Sequence, residues 1–202
     1  MKFLLVSATV FEIQPILNKY PSIPHMITGV GIPPTIYSLC KLESISSYDL
    51  IIHAGIAGSF DRSVSLGTVF QMTQDRFADL GAELGEEQFA DVFELGLTPL
   101  NQFPYQDGWL INPVSDYNFL PKASGVTVNK VTGMNRPSKY GADLETMEGA
   151  ALFYVCLMEK VNFLSIRAVS NYVEKRDKSK WEIPKAINNL NEVLLNIYTL
   201  IK

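Results

Sequence analysis

Short apolar runs alternate with stretches of helical periodicity along this chain. Continuous apolar runs predict buried strands at residues 2–6, 25–30, 49–54, 68–72, 126–132 and 162–170. Helical patterns lie between them, the last being the clearest, at residues 9–19, 33–45, 147–160 and 183–201. This alternation predicts an α/β fold of three layers. Since no repeat, low-complexity tract or linker interrupts it, residues 1–202 are expected to form a single domain.

Two features depart from this simple alternation. Residues 75–109 are irregular and rich in glycine and proline, and long insertions of this kind are often functional. Pro15 falls inside the first helical pattern, where we expect it to be tolerated only near the first turn. Ligands of α/β folds bind where strands end. The segments to examine for chemistry are therefore residues 7–12, 29–31, 54–60 and those from 170 onward.

Composition narrows the classes of protein that this fold could serve. The 202 residues are 47% hydrophobic and 19% charged, which excludes a disordered or fibrous chain. The formal net charge of −4 lacks the basic excess of a general nucleic-acid binder. Cys40 and Cys156 stand far apart without CxxC spacing, and the chain has two histidines. Neither a disulfide framework nor a zinc or histidine-rich metal site is therefore expected.

Hydropathy and cysteine usage favour a cytoplasmic location. No run of about 20 apolar residues could span a membrane. The apolar run at residues 1–6 ends at Ser7 and is too short for a signal-peptide core. We expect a protein of the reducing cytosol that binds neither membranes nor nucleic acid.

Taken singly, each polar candidate has an ordinary structural explanation. Glu12 fits a capping box with Thr9, and Glu148 lies near a helix start, where the dipole favours a carboxylate. Asn171 follows a strand and suits a turn. The glycine-rich turn at residues 55–58 lacks both common nucleotide-binding patterns. No one of these signals identifies a function.

Four segments in order carry a more specific signal. They are SATVFE at residues 7–12, HAGIAGSF at 53–60, ETMEGAA at 145–151 and RAVSN at 167–171. Together they resemble the nucleoside phosphorylase/hydrolase superfamily over most of the chain, and within it the bacterial nucleosidases that cleave methylthioadenosine and S-adenosylhomocysteine. The resemblance implies a nucleoside phosphorylase-like αβα sandwich around a central twisted mixed sheet. It also implies a homodimer that needs no metal or organic cofactor.

Two departures from those nucleosidases favour another branch of the superfamily. Asn171 stands where the adenosine nucleosidases carry an aspartate, and the chain is shorter after the first strand. Both features resemble the futalosine hydrolase branch, as do the segments around residues 77–83 and 170–181. That branch hydrolyses futalosine to hypoxanthine and dehypoxanthine futalosine in menaquinone synthesis. A 5′-methylthioadenosine/S-adenosylhomocysteine nucleosidase, a phosphorylase and a non-catalytic nucleotide-binding module remain open alternatives.

The resemblance assigns roles to individual residues. Glu12 would activate the attacking water, Glu148 would bind the ribose hydroxyls, and Met147 would pack on the sugar. Asn171 would stabilise the departing base, because its NH₂ matches O6 and its carbonyl matches N7–H of a 6-oxopurine. The absence of Arg or Lys between Ser7 and Gln14 favours water over phosphate as acceptor. Further substrate contacts are expected from Ile56, Ala57 and Gly58 and, at the base edge, from the backbone near Val128 and Asn129.

The irregular insertion is expected to act across a dimer. The partner would cover the 5′ tail of the purine nucleoside, with Phe93 and Tyr105 among the covering residues. The alternative is a surface loop with its own small apolar cluster. Because the tail of futalosine ends in a benzoate, a basic residue should lie near it, and Arg136 and Lys139 are the candidates.

Overall fold

The computed structural model of the protein describes residues 1–85, 88–113, 120–131 and 137–202. Within these residues, four helices follow the order of the chain: α1 (Val10–Lys19), α2 (Ile32–Cys40), α3 (Gly149–Met158) and α4 (Ile183–Ile201). The strands are β1 (Phe3–Ser7), β2 (His25–Ile27), β3 (Leu50–Ser59), β4 (Val69–Asp75), β5 (Gly81–Gly85), β6 (Gln88–Asp91), β7 (Tyr105–Gln106), β8 (Trp109–Ile111), β9 (Lys122–Thr127), β10 (Leu144–Thr146) and β11 (Phe163–Tyr172).

The central sheet is mixed and partly closed on itself. Strands β2, β1, β3 and β11 pair in parallel, and β4 runs antiparallel to β11. Strand β9 is parallel to β4, β10 is parallel to β9, and β10 returns antiparallel to the end of β3. These pairings close a ring of five strands, β3, β11, β4, β9 and β10. One end of the ring brings together side chains from distant parts of the sequence.

Helices cover both faces of this sheet, which confirms the predicted three-layer αβα architecture. On one face, α1 and α4 bury a core that includes Ile13, Ile16 and Leu190 against the strands. On the other face, α2 and α3 bury a second core around Leu39 and Phe153. No described helix is long and apolar enough to cross a lipid bilayer.

Several element boundaries differ from the sequence predictions. Helix α2 begins with prolines in its first turn as expected, but it ends at Cys40 and not near residue 45. Residues 55–58 are not a turn, because pairing with β11 continues β3 through them to Ser59. The irregular insertion contains a hairpin of β5 and β6 and the short strands β7 and β8. Strand β9 ends at Thr127, earlier than predicted.

The expectation for Pro15 was also wrong, since it is the sixth residue of α1 and lies beyond the first turn. The side chain of Asn191 on α4 reaches the helix at this point. Its Oδ1 accepts from the amide of Ile16 at 3.0 Å, and its Nδ2 donates to the carbonyl of Glu12 at 2.8 Å. A proline removes one helical donor and crowds the preceding turn. The buried amide of Asn191 therefore supplies polar partners to the backbone on either side of it.

Candidate active site

A cavity of about 260 Å³ opens beside the ends of β1, β3, β10 and β11. We call it the central cavity. Its walls combine four polar acidic or amide side chains with backbone of the glycine-rich part of β3 and with apolar residues from α1, α4 and the loops. The lining residues are Ala8, Thr9, Phe11, Glu12, Val30, Ile56, Ala57, Gly58, Val131, Glu145, Thr146, Met147, Glu148, Ser170, Asn171, Trp181, Ile183 and Ile187.

Glu12 is held by hydrogen bonds to both of its carboxylate oxygens. Its Oε2 accepts from Ser7 Oγ at 3.0 Å and from the amide and hydroxyl of Thr9 at 3.0 and 2.9 Å. Its Oε1 accepts from the amide of Ile56 at 3.1 Å. The capping box predicted from the sequence is present, and the same carboxylate lines the cavity. Since an ionised carboxylate has about four acceptor sites, Oε1 retains capacity for a further donor.

Arg167 lies buried behind Glu12. A Cβ placed on Gly55 would fall 2.5 Å from Arg167 Nη1 and 2.9 Å from Glu12 Oε1, so only glycine leaves room for these groups to approach. Arg167 Nη2 lies 2.9 and 2.8 Å from the two ring nitrogens of His53. Burial, together with the Arg167 charge, holds the pKa of His53 well below its usual range. A neutral His53 therefore accompanies the arginine.

Carboxylates surround this buried cation. Burial lowers the pKa of Arg167, while the charges of Glu148, Glu12 and Asp75 oppose that effect. The arginine is thus a shared counter-charge for carboxylates that would otherwise repel one another across the cavity.

Glu148 lies at the start of α3, and its Oε1 accepts from the amide of Gly31 at 2.8 Å. Gly31 has a φ of +94°, a left-handed value that favours glycine, and it caps the N-terminus of α2. Burial raises the pKa of Glu148 in spite of Arg167 and this hydrogen bond. The carboxylate is fixed through one oxygen and faces the cavity, as a residue that binds hydroxyl groups requires.

Asp75 supports the backbone behind Glu148. The Thr127 hydroxyl donates to Asp75 Oδ1 at 2.9 Å and accepts from the amide of Ala150 at 2.7 Å. The carboxyl lies so close to α3 that a Cβ on Gly149 would be 2.0 Å from Asp75 Oδ2. Burial is the main reason that the pKa of Asp75 rises to about 7.

Asn171 lies near the end of β11, beside an irregularity in the pairing with β3 that falls between Val169 and Asn171. Its Oδ1 accepts from Ser170 Oγ at 2.8 Å, and its Nδ2 donates to the carbonyl of Tyr172 at 3.0 Å. These bonds fix which end of the amide is acceptor and which is donor. Each end retains hydrogen-bonding capacity toward the cavity.

The structure brings most of the candidate residues together. Glu12, Glu148, Met147 and Asn171 all line the central cavity, and so do Ile56, Ala57 and Gly58. Among the described residues, no group of three or more His, Cys, Asp or Glu side chains is arranged to hold a metal ion.

Other candidates lie elsewhere. Val128 is buried in a separate cluster with Ala78, Asn129 donates to Asp79, and neither residue is among those that line the cavity. The predicted contact of their backbone with the base edge stays a prediction. Phe93 and Tyr105 pack against each other with ring centroids 5.1 Å apart, away from the lining of the central cavity. Their predicted role, to cover a partner's substrate, stays a prediction.

Lys139, one of the two basic candidates for the tail, also lies outside the cavity lining. Lys139 donates to Glu94 and to the carbonyl of Phe89, at 2.7 and 3.1 Å. Arg136 is outside the described residues. Glu145 and Arg167 lie within the motif segments, but the sequence predicted no role for either. Phe11 was not predicted to line the cavity, because an apolar residue after a helix start carries no functional signal.

The sequence of this chain is similar to those of known enzymes. Over 174 residues, 82% of this chain, it is 30% identical to the futalosine hydrolase of Acidothermus cellulolyticus, with 70% of that protein covered. The chain belongs to the futalosine hydrolase family. It is also 30% identical to the futalosine hydrolase of Streptomyces coelicolor over 153 residues, which are 73% of this chain and 64% of that protein. The chain thus spans about two thirds of the length of these family members.

The wider superfamily and the fold agree with this membership. Residues 124–201 match the model of the Phosphorylase superfamily. The native structure of futalosine hydrolase from Helicobacter pylori superposes with a TM-score of 0.77, at 14% identity, covering 100% of this chain and 98% of that one. At this identity the similarity shows a shared fold, and it agrees with the predicted nucleoside phosphorylase-like class.

Proposed function

We propose that this member of the futalosine hydrolase family cleaves the N-ribosidic bond of futalosine with water, giving hypoxanthine and dehypoxanthine futalosine. The observation that carries the proposal is the central cavity itself. It presents a carboxylate fixed by four hydrogen bonds, a second carboxylate at the start of α3 and the amide of Asn171 to one space. These are the groups needed for a water molecule, a ribose and a purine.

The reaction follows from these positions. Water attacks C1′ while the C1′–N9 bond breaks, so the bonding pair leaves with the base and the sugar carries transient positive charge. Glu12 Oε1 accepts the proton of the water, since Oε2 already takes three donors. The hydroxide oxygen then forms the new bond to C1′. A positioned base of this kind contributes about 10² to 10⁴ in rate.

Glu148 and Met147 are assigned to the sugar. The free capacity of the Glu148 carboxylate accepts the ribose hydroxyls in charge-assisted hydrogen bonds, while Gly31 holds its other oxygen. Both residues lie at the start of α3, where Thr127 and Asp75 fix the neighbouring backbone. The ribose is thereby oriented with C1′ toward Glu12.

Asn171 is assigned to the base. The departing base takes up one proton at N7 from solvent water, which balances the proton that Glu12 removes from the attacking water and later returns to solvent. With Oδ1 bound to Ser170 and Nδ2 bound to Tyr172, the amide offers an acceptor to this N7–H and a donor to O6 of hypoxanthine. An aspartate would repel O6, so Asn171→Asp should lower kcat/KM for a 6-oxo substrate and narrow the gap to its 6-amino analogue. An unchanged ratio would place base selection elsewhere.

Water is favoured over phosphate as the acceptor. The described residues that line the cavity include no lysine or arginine that could bind a free phosphate, and Arg167 lies behind the lining among carboxylates. A phosphorylase would need such an anion site. The turnover should therefore be independent of added phosphate.

Location and assembly belong to the same proposal. We place the enzyme in the cytoplasm, in menaquinone biosynthesis, as a homodimer whose partner covers the substrate tail with Phe93 and Tyr105. Phe11 is 75% exposed at the cavity, and Val30 is 55% exposed, so apolar surface surrounds the opening. Arg136 is the candidate for the benzoate, because Lys139 already pairs with Glu94. A fully active monomer in sedimentation would contradict the shared site.

One experiment separates the candidate functions. The purified protein is incubated with futalosine and with 5′-methylthioadenosine, with and without phosphate, and free bases are quantified by chromatography. Release of hypoxanthine from futalosine without phosphate is the expected result. Adenine from 5′-methylthioadenosine alone would favour the adenosine-type nucleosidase, and no free base from either would favour a non-catalytic binding module.

A further inference from the structure

The start of α4 and the residue pair before it form an apolar wall of the central cavity that has no part in the roles given to water, ribose and base. Ile187, Ile183 and Trp181 line the cavity along this wall. Asn191 fixes its inner end, because Nδ2 donates to the carbonyls of Glu12 and Ile187 at 2.8 and 2.7 Å. An α-helix rises about 1.5 Å per residue, so Ile183 lies about 6 Å further along the axis than Ile187. The wall therefore leads from Glu12, past Ile183, to Trp181.

This wall runs toward solvent. Asn191 is buried, Ile187 and Trp181 are half-buried, and Arg176 in the preceding loop is exposed. Aromatic side chains such as that of Trp181 pack favourably on other rings. The aryl group at the end of the proposed substrate's tail is therefore expected along the outer part of the wall.

The loop that carries Trp181, residues 173–181, is tied to the sheet at both ends. At its start, the amide of Val173 donates to the carbonyl of Ser59 on β3 at 2.8 Å. At its end, the amide of Glu182 donates to the carbonyl of Ser170 on β11, also at 2.8 Å. The loop thus has a fixed place beside the cavity.

This loop is basic in a chain that is acidic overall. Residues 173–181 contain four basic and two acidic side chains, a formal charge of +2, whereas the whole chain carries −4. Glu174 already pairs with Arg62 and, at 3.5 Å, with Lys180. In the part of the chain that the structure describes, no carboxylate forms an ion pair with Arg176. Its charge is therefore available to a ligand.

Arg176 lies next to the cavity wall. Its Cζ is 5.7 Å from the centroid of the Trp181 ring, within the range of a cation–π contact, and Trp181 lines the cavity. A guanidinium carries five N–H donors in a planar fork that matches a carboxylate. One side chain thus separates the central cavity from a cation suited to an acidic group.

Resting on the proposed function, we propose that Arg176 selects the acidic tail of the substrate. Its guanidinium binds the carboxylate of the tail, while the aryl group packs beside Trp181. A carboxylate has about four acceptor sites, so this contact adds to any contact from Arg136. Arg176 belongs to the subunit that holds the base and ribose, so its contribution does not depend on a partner. A nucleoside with a short neutral 5′ end gains nothing from it.

The test compares three ligands that share hypoxanthine and ribose: futalosine, the methyl ester of its tail carboxylate, and inosine, which has no tail. Glu12→Gln slows turnover, so isothermal titration in that background measures Kd for the intact nucleosides. Adding Arg176→Gln should raise the Kd of futalosine about tenfold, because a hydrogen bond to a charged group is lost. The Kd values of the ester and of inosine should stay within about twofold.

Lys175→Gln is the matched control, because it removes the same charge from the neighbouring exposed position. It should leave the Kd of futalosine within about twofold. Arg176→Lys keeps the charge but loses the planar fork, so an intermediate Kd is expected. Raising the salt concentration should reduce the preference for futalosine over its ester, since an exposed charge pair is screened.

The outcomes separate this inference from the proposed function. An unchanged Kd of futalosine in Arg176→Gln overturns the inference, and so does an equal loss for all three ligands, which would make the role structural. Equal losses in Arg176→Gln and Lys175→Gln also overturn it, because they would indicate general attraction by the basic loop. If wild type releases no hypoxanthine from futalosine, the proposed function is wrong, while the Kd values still test Arg176. If none of the three nucleosides binds, both proposals are wrong.

Discussion

Asn191 offers a test of how the fold supports the proposed catalytic carboxylate. It is 2% exposed, and its side chain bonds to the backbone of α1 at two places, the carbonyl of Glu12 and the amide of Ile16. Asn191→Ala removes both partners and leaves two buried polar groups beside Pro15. Each unsatisfied group costs about 1–3 kcal/mol, so the free energy of unfolding should fall by about 2–6 kcal/mol.

Urea denaturation followed by tryptophan fluorescence measures this loss, and steady-state kinetics at a temperature where the variant is folded measures its effect on turnover. Because the lost bonds hold the backbone of Glu12 itself, kcat should fall while KM changes little. Asn188→Ala, on an exposed position of the same helix, is the control and should stay within about 0.5 kcal/mol of wild type.

Asn191→Asp is a more severe change. The aspartate can still accept from Ile16, but it has no donor for the Glu12 carbonyl and places a buried negative charge beside the carbonyls of Glu12 and Ile187. The losses of stability and of kcat should therefore be at least as large as in Asn191→Ala. A loss of stability below about 1 kcal/mol in Asn191→Ala would refute the reasoning, since it would mean that α1 satisfies these groups internally.

Three further predictions follow from the site. Glu12→Gln should stay folded by circular dichroism and lose about 10² to 10⁴ in kcat, because an amide cannot accept the proton of water; wild-type turnover would remove Glu12 from the mechanism. Gly55→Ala should lower kcat for release of hypoxanthine strongly, because the new methyl would lie 2.5 Å from Arg167 Nη1 and 2.9 Å from Glu12 Oε1. Between about pH 4 and 7 the folded state holds the Asp75 proton more tightly than the unfolded chain, because burial raises the Asp75 pKa to about 7. The free energy of unfolding of wild type should therefore fall as pH rises through this window. Asp75→Asn should make this free energy depend less on pH, as measured by urea denaturation at pH 5 and pH 8.

Sequence patterns predicted a helix or strand correctly where the residues of that element alone determine its structure. The apolar face of α4 predicted its bounds, and Ala186, Leu190 and Leu194 are buried along it as the spacing requires. The apolar runs that became β1 and β11 were equally clear. The four motif segments also indicated the ends of these strands as the candidate site, because they belong to one family of sequences.

Long-range pairing explains where local reasoning failed. Glycines at residues 55 and 58 read as a turn, but β11 pairs with β3 through both of them and keeps the chain extended. Strand β10 is three residues long, too short for any periodicity, and exists because β3 and β9 flank it. Asn191 is separated from Ile16 by 175 positions, so no local pattern could connect them.

Among the described residues, three glutamates line the central cavity. Their residue type does not distinguish them, but the hydrogen bonds that each one accepts do. Glu12 accepts four hydrogen bonds that fix it next to Arg167, Glu148 accepts the amide of Gly31 at 2.8 Å, and Glu145 receives no donor from the described residues. A carboxylate that takes a proton from water must be held in place, whereas one that binds a ligand must keep its acceptor sites free. The number of donors that the fold supplies to each glutamate therefore agrees with the proposed roles, activation of water for Glu12 and binding of ribose for Glu148.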